Sequence, residues 1–81
     1  MKITVKLFAV VKEIVGTDQC SLDLPDNANA SEVIETLSRQ YPKFADWKLY
    51  VRIAVNREYV PNDYPLSTGD EVAIIPPVSG G

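Results

Sequence analysis

The chain has 81 residues and a formal net charge of −3, with 46% hydrophobic and 23% charged residues. This is the balance of one small globular domain; it argues against a disordered chain and against a nucleic-acid binder, which would carry a basic face. Histidine is absent and Cys20 is the single cysteine, which removes Ser-His and Cys-His catalysis, most zinc and copper sites, any internal disulfide and any C-x-x-C pair.

Ile3, Val5 and Leu7 alternate with Lys2, Thr4 and Lys6, the pattern of a strand with one face inward. This opening has the early lysine of a signal peptide, but Lys6 interrupts the apolar run and no A-x-A-like cleavage site follows. We read it as structure and expect a cytoplasmic protein. No stretch approaches the roughly 20 apolar residues of a membrane span, so no membrane contact is expected. Val11, Ile14 and Val15 stand at helical spacing, and Gly16 follows as a stop. Alternation resumes through Cys20, Leu22 and Leu24, a second strand closed by the turn residues Pro25-Asp26-Asn27.

The segment "NASEVIETLSRQYP" predicts the main helix. Asn29 is its N-cap and Glu32 sits at N3, a capping box. Val33, Ile34, Leu37 and Tyr41 make the apolar stripe, and Pro42 ends the helix. "KFADWK" reads as a loop whose Phe44 and Trp47 cover the core. "LYVRIAV" predicts a third strand, turned at Asn56-Arg57 into the short return strand "EYV". "PNDYPLSTGD" is loop, and "EVAIIPP" is a final strand stopped by prolines, which have no N–H for a ladder. The order β-α-β-α-β-β-β gives an α+β domain, one main helix against a small sheet.

The remaining side chains offer little conventional chemistry. No phosphate-cradling glycine motif occurs. Cys20 reads as a small strand hydrophobe, not a reactive thiol, because nothing nearby is placed to lower its pKa. Asp70 and Glu71 are neighbours at a strand start, where side chains diverge, so they read as solvated structure and no metal site is expected. Phe8 and Ile75 fall on the parity opposite to Val5, Leu7, Val72 and Ile74, so they face outward if those residues face the helix. The basic residues are scattered along the chain, and a net charge of −3 implies a weak field directed toward basic partner grooves.

"LFAVVKEIVGTD", "NASEVIETL", "IAVNREYV" and "PLSTGDEVAIIPPVSGG" together resemble the sulfur-carrier small subunit of molybdopterin synthase, from Met1 to Gly81 without a large gap. The most specific block is "GDEVAIIPPVSGG". The resemblance implies a ubiquitin-like β-grasp fold, residues 1–81 forming one domain with 76–81 as an extended flexible tail. It implies that an ATP-dependent, E1-like adenylating enzyme activates the Gly81 carboxylate, and that a sulfur donor enzyme supplies the sulfur of a thiocarboxylate, a 1-thioglycine at Gly81. The loaded tail would enter the large catalytic subunit of the synthase and give sulfur to cyclic pyranopterin monophosphate, building the dithiolene of the molybdenum cofactor. No permanently bound cofactor is implied, ATP being used by the activating partner, and the carrier alone would not be a catalyst. The resemblance places partner contacts on Phe8, Tyr59 and Ile75. It leaves as alternatives a thiamine-pathway or other thiocarboxylate carrier, and a ubiquitin-like protein modifier. Many relatives have Asn-Gly in the hairpin turn where this chain has Asn56-Arg57, which leaves the turn type open.

The terminal residues suit such a task. Pro76-Pro77 favour polyproline II, so the steps to Gly81 reach on the order of 15 Å. Gly80 and Gly81 lack Cβ atoms and would pass a narrow channel. Val78 is the sizeable apolar anchor among the last four residues, and Ser79 adds little bulk.

Overall fold

The computed structural model describes residues 1–77. Five strands and two helices follow in the order β1 (Lys2–Leu7), α1 (Ala9–Val15), β2 (Gln19–Asp23), α2 (Ala30–Gln40), β3 (Arg52–Val55), β4 (Glu58–Val60) and β5 (Glu71–Ile75), with a 3₁₀ helix over Pro42–Asp46. The sheet order is β2-β1-β5-β3-β4. β5 lies parallel to β1, with Val5 opposite Val72, and antiparallel to β3, with Ala54 opposite Ala73. A mixed five-stranded sheet clasping one main helix is the ubiquitin-like β-grasp, as the sequence resemblance implies.

Strand parity builds the core. Ile3, Val5, Leu7, Ile53, Val55, Val72 and Ile74 are buried and meet Val33, Ile34 and Leu37 of α2 in one cluster. α1 ends where expected: Gly16 adopts φ 93° and its N–H donates to the Lys12 carbonyl at 2.8 Å, a left-handed cap that glycine takes without a Cβ penalty.

Four local expectations need correction. Asn29 is the N-cap of α2, but its side chain makes no cap bond; its Oδ1 instead accepts from the Ser31 hydroxyl at 2.6 Å. The free amides of the first turn are satisfied by a distant loop, Ala30 N–H donating to the Tyr64 carbonyl at 2.8 Å and Ser31 N–H to that of Asn62 at 2.9 Å. "KFADWK" is not plain loop: Pro42 opens the 3₁₀ helix, which drives Phe44 fully into the core while Trp47 is half-buried. The third strand begins only at Arg52, leaving Leu49 and Tyr50 exposed. Beyond the Arg52–Ile75 pair the partner positions belong to Pro76 and Pro77, which cannot donate to a ladder. Finally Pro76, expected in the tail, is buried, and Pro77 is exposed.

Candidate functional site

The surface of interest is the sheet face opposite α2, at the end where β5 runs into the prolines. Its position follows from parity. With Val72 and Ile74 turned into the core, Ala73 and Ile75 are turned out. Phe8 continues β1 in extended conformation, φ −130° and ψ 152°, and is 47% exposed. Ala9 then turns the chain sharply at φ 51°, a left-handed conformation that costs a non-glycine residue about 1–2 kcal/mol. That turn sends α1 away to the other side and leaves the Phe8 ring uncovered. Tyr59, 57% exposed, reaches the same face from β4, opposite Ala54.

These side chains share one depression of about 320 Å³. Ala54 and Ala73, paired directly across β3 and β5, are its floor, and Phe8, Tyr59 and Ile75 are its apolar walls. Lys6, Arg57 and Glu71 edge it, with Lys6 Nζ 3.6 Å from the Glu71 carboxylate. The three residues expected to act together are therefore neighbours. The alanine floor was missed from sequence; its signal was two small residues at outward parity on neighbouring strands.

The hairpin turn also resolves. Asn56 and Arg57 both have positive φ, 50° and 74°, the signature of a type I′ turn. Asn56 anchors it: its Oδ1 accepts from Glu71 N–H and its Nδ2 donates to Asp70, both at 3.1 Å. Asp70 also accepts from Ser67 N–H at 2.8 Å. Asp70 and Glu71 are thus engaged in tying the turn and the sheet together. Cys20 is half-buried on the core side of β2, and burial pushes its thiol pKa up, away from the nucleophilic thiolate.

Among the described residues no three His, Cys, Asp or Glu side chains gather as they would around a metal ion. No helix among them is long and apolar enough to cross a membrane. Val78, Ser79, Gly80 and Gly81 lie outside the described residues. What the site offers is an apolar depression beside the end of β5, and among the described residues no metal-binding cluster accompanies it.

Fold and site together define a ubiquitin-like β-grasp domain with an apolar depression beside its last strand. The chain belongs to the ThiS family, whose model matches residues 5–81. It is similar to the molybdopterin synthase sulfur carrier subunit of Dictyostelium discoideum, 42% identical, with 93% of this chain and 91% of that protein covered. Among solved structures it is similar to a candidate molybdopterin converting factor, subunit 1, from Pyrococcus furiosus. That pair is 35% identical over 96% of this chain and 99% of the other, with a TM-score of 0.86. It is also similar to the small archaeal modifier protein 1 of Methanosarcina acetivorans, 28% identical over 99% and 96% of the two chains, TM-score 0.81.

Proposed function

We propose that this chain is a sulfur carrier for molybdopterin synthesis and that its working group is the Gly81 carboxylate. The likeness to the Dictyostelium discoideum sulfur carrier subunit, which spans nearly all of both chains, supports this reading most. A carboxylate is a poor electrophile. An ATP-dependent adenylating enzyme would join it to the α-phosphorus of ATP with loss of pyrophosphate. A hydrosulfide-level nucleophile from a sulfur donor enzyme would then add at the acyl carbon and expel AMP. The product is C(=O)–S⁻, a good nucleophile carried on main-chain atoms, in the manner of covalent catalysis without a side chain.

The large catalytic subunit of the synthase would then receive the loaded tail, Pro77 to Gly81, with Val78 in an apolar pocket. Phe8, Tyr59 and Ile75 would seat the body on that subunit. Because Pro76 is buried, reach begins at Pro77, and four residues beyond it extend at most about 14 Å. Ordering those four costs roughly 1–2 kcal/mol each, which contacts with the subunit must offset. Sulfur passes to cyclic pyranopterin monophosphate, and water cleaves the acyl–sulfur bond to return the carboxylate. The carrier is not a catalyst alone, binds no permanent cofactor and works in the cytoplasm.

Intact-mass measurement tests the loading step. After incubation with ATP, the activating enzyme and a sulfur donor, the chain should gain the mass of one oxygen-to-sulfur exchange at Gly81. A mass unchanged under conditions that load an authentic carrier would refute it. The likeness to the archaeal modifier protein favours a second reading, conjugation of Gly81 to lysines of other proteins. It predicts high-molecular-weight adducts in cells that vanish when Gly81 is deleted.

A further inference from the structure

Sequence order scatters the basic residues, but the fold gathers four of the eight around the apolar face. Lys6 and Arg57 edge the alanine-floored depression. Lys12 lines an adjoining hollow of about 340 Å³ that shares Phe8 and Lys6 with it. Arg52 stands opposite Ile75 in the β3–β5 register, and its guanidinium carbon lies 4.1 Å from the centre of the Tyr59 ring. Two carboxylates face these four cations: Glu71, paired with Lys6, and Asp18 in the adjoining hollow. The face thus carries +2 in a chain of net −3, which leaves −5 on the remainder. The field at the docking surface is opposite in sign to the one the net charge implies.

Among the described residues no carboxylate pairs with Lys12, Arg52 or Arg57. Arg52 is the most constrained of them. A guanidinium resting on an aromatic face has fewer rotamers left to lose, and its planar fork matches a carboxylate through two parallel N–H donors. The ring holding it belongs to Tyr59, a wall of the apolar depression, so a charge met by Arg52 would sit at the rim of whatever covers that depression. The apolar floor is too open and too poor in donors to enclose a small anion.

We infer that this face is docked by a protein surface that is apolar at its centre and acidic at its rim, one Asp or Glu of which takes the Arg52 fork. The inference rests on the sulfur-carrier reading for the identity of that protein, the large subunit that receives the tail. Arg52 then governs encounter rate and partner choice, because a partner presenting a cation there is repelled while an acidic rim is drawn in.

Association with the purified large subunit of molybdopterin synthase from the same organism, followed by stopped-flow and calorimetry over a range of ionic strength, tests this. Arg52→Glu should slow association and weaken binding about tenfold or more at low salt. The deficit should shrink as salt screens the rim. Arg52→Lys should fall between the two. Arg39→Glu, on the exposed side of α2, should match the wild type. Thermal melting of each variant checks the fold, and Arg52→Gln, which removes charge without adding repulsion, decides the matter should Arg52→Glu melt early. Wild-type binding that the Arg52 variants leave unchanged in rate, affinity and salt dependence overturns the inference and leaves the carrier reading standing. A wild-type chain that does not bind the subunit overturns the carrier reading, and this inference with it. Tighter Arg52-dependent binding to phosphatidylserine vesicles than to the subunit would also overturn it.

Discussion

At Arg57 the backbone has φ 74°, where glycine is at ease and a Cβ is not. Arg57→Gly should therefore stabilise the hairpin by about 0.5–1 kcal/mol, after the loss of unfolded-chain restriction is set against the relief of strain. Thermal melting should rise by several degrees, and a lower melting point would show that the turn carries no such strain. The same change deletes a cation from the docking rim, so the more stable variant should associate more slowly with an acidic partner. Cys20 gives a second residue-scale prediction. Burial raises its folded-state pKa, so the protonated thiol is the form the fold favours. The associated stability is complete below the unfolded thiol pKa and is lost as pH rises through the higher folded value. Alkylation by iodoacetamide at mildly alkaline pH should accordingly be slower than that of a cysteine in an unstructured peptide. Faster alkylation would mark a reactive thiol that the structure does not account for.

The elements show why pattern reading succeeds in some places and fails in others. Strand parity and the Gly16 stop were legible because they depend on near neighbours in sequence. The start of α2 was placed correctly at Asn29, yet its mechanism was not, because the acceptors come from Asn62 and Tyr64, far downstream. Asn29→Ala should thus cost only a few tenths of a kcal/mol in urea denaturation, against about 1 for an N-cap that bonds through its side chain. A full-sized loss would mean that Asn29 caps the helix in solution after all. The overlong third strand failed for a related reason: "LYVRIAV" has the right composition throughout, but a strand needs a partner, and β5 gives out at Pro76. The 3₁₀ helix has one anchor worth testing. Phe44 is completely buried in the core, on a 3₁₀ helix that packs against α2 and α1, so Phe44→Ala should cost about 3–5 kcal/mol, enough to unfold much of a domain this small at physiological temperature.

At the scale of the molecule, the β-grasp was legible from element order and resemblance together, whereas the site was legible only in part. Phe8 and Ile75 could be placed outward by parity. The Ala54–Ala73 floor, the Arg52–Tyr59 stack and the cationic rim could not, since each is made by cross-strand register and none by local spacing. The division of labour follows from this arrangement. Among the described residues the core that holds the body has Ile74 as its last member and Pro76 is the last buried residue, and the proposed chemistry belongs to the Gly81 carboxylate. Removing Gly80 and Gly81 should leave the melting temperature within about a degree of the wild type, because the core cluster is built from residues between Ile3 and Ile74. The most direct test of the central claim is single-turnover transfer from chain carrying labelled sulfur at Gly81, mixed with the large synthase subunit and cyclic pyranopterin monophosphate. The label should leave the chain and appear on the pterin while the chain returns to its unmodified mass. Label that stays on the chain, or a chain lacking Gly81 that supports the same pterin product, would contradict the account.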